Sequence, residues 1–196
     1  RLIDQVRGER LQCDEPSQDV DLTKLMEDCA DAVAALGTAE GITVARSLQP
    51  GIRLETSPTR LWSAVMNVAA NAVEHNRPAG RVDISCRQSE GDIEVVVRDN
   101  GPGISAKDLP HIFEPFYRTD QSHRAAGDHL GLGLTLVQTH LRALGGRIEV
   151  QSQEGVGTSF HIWLPASGKA AAASGELPAA TPPKSSGPGA DSSPLC

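Results

Sequence analysis

Two asparagines four residues apart, Asn67 and Asn71, stand in the otherwise apolar run Leu61 to Asn76. Helical residues at i and i+4 share a face, so in a helix the two amides stack one turn apart, with Glu74 and His75 continuing that face. A solvated face ordinarily carries Lys, Glu or Arg. Amides among Ala, Val and Met instead suit the lining of a partly closed polar cavity. Amide oxygens are hard, neutral ligands suited to Mg²⁺, which keeps several waters and is shared with substrate phosphates. Paired Asn are also ordinary surface residues, and alone the pair does not decide between these readings.

A second station is Asp99-Asn100-Gly101-Pro102-Gly103-Ile104, at the end of an apolar strand-like run. A carboxylate there can accept from an exocyclic amine such as that of adenine, while the glycines let the backbone approach a ring closely. The alternative is a plain Asp-Asn-Gly turn. A third is Gly131-Leu132-Gly133-Leu134 at the start of a helical pattern, where backbone N–H groups and the helix dipole favour phosphate oxygens. Between the last two lies a long segment with Pro115, Gly127 and three histidines, His111, His123 and His129. Loops of that length are usually functional or mobile.

These residues need elements to hold them. Leu61, Val65, Val68 and Ala72 recur at helical spacing, which predicts an amphipathic helix from Leu61 to Asn76 packed on a core. Before it, Val20-Asp21-Leu22 reads as a short strand. A helix follows from about Thr23 to Leu36, begun near Thr23 or Asp21 and stopped near Gly37. Ile42 to Leu48 and Ile52 to Glu55 are strand-like, separated by the turn signal Gln49-Pro50-Gly51. After the turn Arg77-Pro78-Ala79-Gly80, Arg81 to Arg87 and Asp92 to Arg98 form a hairpin about Glu90-Gly91. Leu134 to Leu144 is a further helix ended by Gly145-Gly146, and Arg147 to Gln151 with Thr158 to Leu164 make a last hairpin. Segregated helices and antiparallel strands predict an α+β two-layer sandwich, a mostly antiparallel mixed sheet packed on helices.

A chain of 196 residues suits one domain with extensions. Aromatics are 3% of it, so the core must be mostly Val, Leu, Ile and Ala. A net charge of -7 with no Lys/Arg run argues against nucleic acid as a partner. Cys13, Cys29, Cys86 and Cys196 show neither CxxC nor Cys/His spacing, which supports no disulfide framework and no zinc site and fits a reducing cytosolic setting. No apolar run approaches a membrane span and no signal peptide is evident, so this segment is expected to make no membrane contact. Residues 1–15 read as the end of a helix and a linker, 16–166 as the domain, and 167–196, rich in Ala, Ser, Gly and Pro, as a disordered tail.

The paired-Asn helix, then Asp99-Asn100-Gly101-Pro102-Gly103, Phe113-Glu114-Pro115-Phe116, Gly131-Leu132-Gly133-Leu134 and Gly155-Val156-Gly157-Thr158, in that order and spacing, closely resemble the N, G1, F, G2 and G3 boxes of the ATP-binding domain of bacterial sensor histidine kinases. These belong to the GHKL superfamily of ATPases and kinases. The resemblance runs from about Val20 to Pro165. It implies ATP and Mg²⁺ as cofactors, and Asn67 and Asn71 as the catalytic pair with Asn71 on the metal. Asp99 then selects adenine. A nucleotide shell is implied of Glu74, His75, Gly101, Gly103, Ile104, Tyr117, Arg118, Leu130, Gly131, Leu132, Gly133, Leu134 and Thr158, with Arg124 a second basic candidate. The segment before Gly131 resembles the family's ATP lid. Phe113 and Phe116 read as anchors of that lid or a docking surface, Gly155 and Gly157 as a hairpin turn behind the nucleotide, and Trp62 and Trp163 as packing residues.

The implied partners are a dimerisation and phosphoacceptor domain of the same protein and a response regulator. Residues 1–12 stand where that domain's hairpin would end. The parent would be a homodimeric inner-membrane sensor with this domain in the cytoplasm. In gyrase-like and chaperone-like relatives a Glu at position 67 activates water. An amide cannot act as a general base, which leaves the phosphoryl group for a neutral imidazole. No histidine of this chain lies in an acceptor context. Two positions depart from the family. Glu74 stands where Lys or Arg is usual, and His129-Leu130 where a glycine and a small residue are. The first should weaken triphosphate binding or make it lean more on Mg²⁺, and the second makes the lid bulkier. Other readings are a nucleotide-dependent switch without transfer activity, favoured by those departures, and an anti-sigma-type serine kinase.

Overall fold

The structure, a computed structural model, describes residues 16–89, 91–118 and 131–167. The expected end of a helix in residues 1–15, Leu130 and most of the tail lie outside the described residues, as do His123, Arg124 and His129. The elements run β1 (Gln18–Asp21), α1 (Leu22–Glu40), β2 (Thr43–Leu48), β3 (Arg53–Thr56), α2 (Pro58–Glu74), β4 (Arg81–Gln88), β5 (Asp92–Asp99), α3 (Gly133–Ala143), β6 (Arg147–Gln153) and β7 (Gly157–Pro165).

Five strands make one sheet in the order β2-β4-β5-β7-β6, and β1 pairs with β3 in a separate two-stranded sheet. Only β2–β4 is parallel; the remaining pairs are antiparallel. The three helices form the second layer, with α2 in contact with both α1 and α3, and the expected α+β sandwich is the fold found. β2 and β3, separated in the sequence by a turn signal, diverge into different sheets. The turn between them is tied to the start of α1, where the Thr23 hydroxyl donates to the Gln49 carbonyl (2.9 Å) and the Leu22 N–H to the Ile52 carbonyl (2.9 Å).

The core joins Met26, Cys29 and Val33 of α1, Leu61, Val65, Val68 and Ala72 of α2, and Val137 and Leu141 of α3 to the inward residues of β4, β5 and β7. All are aliphatic or sulfur-bearing apart from Phe160, as the scarcity of aromatics requires. Burial pushes the Cys29 and Cys86 thiols up to about 12, so neither supplies a thiolate.

Helix ends differ from expectation for local reasons. α1 runs through Gly37, whose bare Cα lets the helix lie against β2; an added Cβ would sit 2.9 Å from the Ile42 carbonyl oxygen and 3.0 Å from Val44 Cγ2. The stop is Gly41 at φ 69°, with the Ile42 N–H on the Gly37 carbonyl (2.7 Å) and the Gly41 N–H on that of Thr38 (3.4 Å), a Schellman closure. α2 begins earlier than its apolar stripe, at Pro58, because the Ser57 side chain caps the Arg60 N–H and proline is suited to the first turn. It also ends earlier, at Glu74.

The sheet face away from the helices carries Glu94, only 3% exposed. It accepts from Arg87 on β4 (2.5 Å) and bonds His161 Nδ1 on β7 (2.9 Å). Trp163 lies beneath the Arg147 guanidinium, 5.0 Å from the ring centroid, and so packs on this polar face and not in the core. Burial pushes the Glu94 carboxyl up, but the His161 and Arg87 hydrogen bonds outweigh it and hold it below its ordinary value. A carboxylate depressed in the folded state contributes stability that is present above its unfolded pKa and lost as pH falls through the folded one. Glu94→Gln should therefore flatten the acid limb of stability below about pH 4 and cost about 1–3 kcal/mol at neutral pH. Urea melts across a pH series check this, and an unchanged acid limb would count against it.

Candidate functional site

Asp99 is the last residue of β5, where the strand gives way to the glycine turn. One carboxylate oxygen, Oδ1, accepts the Gly101 N–H (2.8 Å) and the Thr158 N–H (3.2 Å). Oδ2 takes no hydrogen bond from the described residues. Burial pushes the carboxyl above its usual range, opposed by those two N–H groups and by the charge of His75. The side chain is thus fixed by backbone on one side and holds an acceptor on the other. A plain Asp-Asn-Gly turn would need only the Gly101 contact.

The surrounding glycines are close approaches. A Cβ on Gly101 would lie 2.9 Å from Asp99 Oδ1 and 3.0 Å from the His75 carbonyl oxygen, so this turn lies against the C-terminal end of α2. Gly103, at φ 72°, presses on Gln153, and Gly157, at φ 138°, presses on the Asp99 carbonyl; a Cβ at either would overlap that backbone. Gly157, the first residue of β7, therefore backs the site, while Gly155 lies in the turn of the β6–β7 hairpin. Ile104 is anchored by its N–H on Ser152 Oγ (2.8 Å) and packs against the core.

About two turns before that C-terminal end of α2, the Asn67 amide donates to the Ser63 carbonyl (2.7 Å). Its Oδ1 lies where a Cβ on Gly133 would come within 3.2 Å. Gly133 opens α3, whose cap residue Leu132 offers no side-chain hydrogen bond. The start of α3 is thus brought beside Asn67, with its N–H groups uncapped by side chain. Leu134, next along, packs on the core. Asn71, a turn beyond Asn67, is half-buried and makes no side-chain hydrogen bond among the described residues. A half-buried, unengaged amide oxygen fits the donor chemistry of Mg²⁺. Glu74 and His75 are exposed at the end of α2, where the His75 N–H caps the Asn71 carbonyl (3.0 Å).

The segment after Ile104 is anchored. Tyr117 donates to Asp108 Oδ1 (2.7 Å) and Ser105 to Asp108 Oδ2 (2.8 Å), while Ile112 is buried and Phe113 packs on the core. The Thr135 hydroxyl bonds the Phe113 carbonyl (3.1 Å). Of the two readings given to these residues, Phe113 is an anchor, whereas Phe116 is 62% exposed at φ 65°, a left-handed conformation unusual for a bulky residue, and does not pack as one. The Phe116 N–H bonds the Gly131 carbonyl (3.1 Å), and Gly131, at φ 68°, sits against Phe116 and Tyr117 backbone. Arg118, half-buried, follows directly.

One group is thus formed by Asn67, Gly133 and the start of α3, another by Asp99, Gly101, Gly103, Ile104 and Thr158, and α2 joins them. Ser152 was not singled out from sequence, although its hydroxyl bonds Ile104, Gly157 and Thr158. The signal was the hairpin register, since a turn at Glu154-Gly155-Val156 puts Ser152 opposite Thr158.

Comparison with known proteins gives this arrangement a relationship. The family model described as Histidine kinase-, DNA gyrase B-, and HSP90-like ATPase matches residues 56–168. The sensor histidine kinase ZraS of Klebsiella oxytoca is 30% identical over 154 residues, 78% of this chain and 32% of that protein, so the chain spans about a third of that relative's length. Among solved structures, the mycobacterial sensor histidine kinase MprB is 28% identical with a TM-score of 0.65, covering 76% of this chain and 97% of that one. Full-length ShkA, in complex with AMPPNP, is 29% identical with a TM-score of 0.65 over 76% of this chain and 31% of its own. The chain belongs to the family of histidine kinase-, DNA gyrase B- and HSP90-like ATPases, as an ATP-binding domain of the sensor histidine kinase kind.

Proposed function

We propose that this chain binds ATP with Mg²⁺ between α2, the Asp99–Ile104 turn and the first turn of α3. It then transfers the γ-phosphoryl group to a histidine on the dimerisation domain of its parent protein, for relay to a response-regulator aspartate. The observation that carries the reading is Asp99, whose Oδ1 is held by two backbone N–H groups while Oδ2 is left as an acceptor. Adenine presents a donor amine to such an acceptor and guanine presents a carbonyl oxygen. The AMPPNP complex of ShkA supports the same ligand class here.

Each residue then has a part. Asp99 Oδ2 receives the exocyclic amine, and Gly101 and Gly103 let backbone lie against the ring. The opening N–H groups of α3, with Arg118, receive phosphate oxygens. Asn71 would hold Mg²⁺, which supplies charge neutralisation along the triphosphate. Asn67, an amide, orients and cannot deprotonate water, so hydrolysis is slow and the phosphoryl group is kept for an imidazole. The domain limits 16–166, the linking segment 1–15, a dimeric parent and a cytoplasmic position beneath an inner membrane belong to the same proposal. Among the described residues no helix is long and apolar enough to cross a membrane. A second reading, a nucleotide-dependent switch without transfer, is favoured by the exposed Glu74, an acid one turn past the proposed metal ligand.

Labelled ATP distinguishes them. With Mg²⁺ alone the chain should bind nucleotide and take up little label. With its parent's hairpin domain added, that domain should become labelled in an acid-labile, base-stable way. Nucleotide binding without transfer would support the switch, and stoichiometric labelling of one of the six histidines would overturn the division of labour.

A further inference from the structure

Three hydrogen bonds tie the turn Asp99–Ile104 to the β6–β7 hairpin. Thr158 N–H reaches Asp99 Oδ1 (3.2 Å), Gly155 N–H reaches the Pro102 carbonyl (2.6 Å), and Ile104 N–H reaches Ser152 Oγ (2.8 Å). The last alone ends on a side chain of the hairpin, and that side chain does more than hold Ile104. Ser152 Oγ also lies 3.1 Å from the Gly157 carbonyl and 2.9 Å from Thr158 Oγ1. A hydroxyl has one proton and two acceptor sites, and one assignment fills all three. Ser152 accepts from Ile104 N–H and from the Thr158 hydroxyl, and donates to the Gly157 carbonyl.

This hydroxyl therefore couples the far end of the glycine turn to the pair of residues that abut Asp99. Gly157 presses on the Asp99 carbonyl and Thr158 donates to its carboxylate. We infer that Ser152 is a positioning residue for nucleotide selection: through Gly157 and Thr158 it sets where the Asp99 carboxylate points, and so how sharply the site prefers adenine to guanine. Ser152 touches no nucleotide in this scheme. It is a half-buried residue on β6, directly opposite Thr158 in the hairpin register.

The inference rests on the proposed adenine contact of Asp99, and the test separates the two. Affinities for ATP and for GTP are measured by calorimetry for the parent chain, Ser152→Ala, Ser152→Thr and Asp99→Asn, each with a thermal melt. The parent should prefer ATP, and Asp99→Asn should lose most of that preference. Ser152→Ala should lower the ATP-to-GTP affinity ratio by about tenfold, the equivalent of one hydrogen bond's worth of orientation. Ser152→Thr, which keeps the hydroxyl, should retain the ratio. A merely structural Ser152 would lower the melting temperature and both affinities together, leaving the ratio unchanged, and that result overturns the inference while the Asp99 reading stands. A parent without ATP preference overturns both. Should Ser152→Ala fail to fold, Thr158→Val removes the same hydroxyl–hydroxyl bond while keeping the Thr158 N–H. A reduced ratio there supports the coupling and an unchanged one overturns it.

Discussion

Gly157→Ala should be among the most damaging single methyl additions in this chain, lowering the melting temperature by about 5–15 °C and weakening ATP binding by about tenfold or more. Two costs add. At φ 138° an alanine is strained in any surroundings. Its Cβ would also overlap the Asp99 carbonyl and lie 2.9 Å from Asn100 Cα, which is backbone and cannot swing aside as a side chain would. Together these amount to about 2–4 kcal/mol. The displaced atoms belong to the residue whose carboxylate is proposed to read the base, so affinity should fall by more than the loss of stability alone produces. Calorimetric melts and ATP titration at a temperature where both proteins are folded test this. A variant that melts and binds like the parent would show that the hairpin does not press on Asp99.

The second large effect concerns Asn71. Asn71→Ala should abolish most of the Mg²⁺-dependent part of nucleotide affinity. It removes an oxygen that Asn67, one turn away and already bonded to the Ser63 carbonyl, is not placed to replace in an octahedral shell. Asn71→Asp is the sharper probe. It keeps an oxygen and the shape but adds a charge beside the triphosphate, so some metal affinity should remain while the γ-phosphoryl group is misplaced and transfer is lost. Both variants should melt within a few degrees of the parent. The half-buried amide makes no hydrogen bond that the fold relies on among the described residues. Affinity with and without Mg²⁺ is the measurement. An unchanged metal effect in Asn71→Ala would return this helix face to the status of ordinary solvated surface.

The fold was legible where periodicity and punctuation agreed. Val65 and Val68 declared the buried stripe of α2, and Gly91 marked the β4–β5 turn. Gly37 misled because a glycine that ends a helix and one that lets a helix approach a strand look the same in a sequence; only the Gly41 closure separates them. The pairing of β2 and β3 was not legible, because a turn signal does not say which strands pair, and pairing here is settled by partners far along the chain. At the candidate site, Asn67, Asn71 and Asp99 stood out in the sequence because their residue types carry distinctive chemistry. Ser152 was not, because a serine on a strand acquires its meaning from register. Between the two readings given to Phe116, anchor or docking surface, the sequence could not choose, because its exposure follows from a backbone at positive φ bonded to Gly131 and not from its apolarity.

The bond between the Phe116 N–H and the Gly131 carbonyl has a consequence for how such domains can diverge. It holds residues 116 and 131 together, so the segment that joins them begins and ends at one place. Lengthening a flexible loop of fixed end separation costs only about 0.6 kcal/mol per doubling. Insertions or deletions after Tyr117 are therefore nearly decoupled from the core. On the proposed nucleotide site, such changes in length would leave Asp99 and its backbone contacts as they are, and so would not alter which nucleotide is chosen.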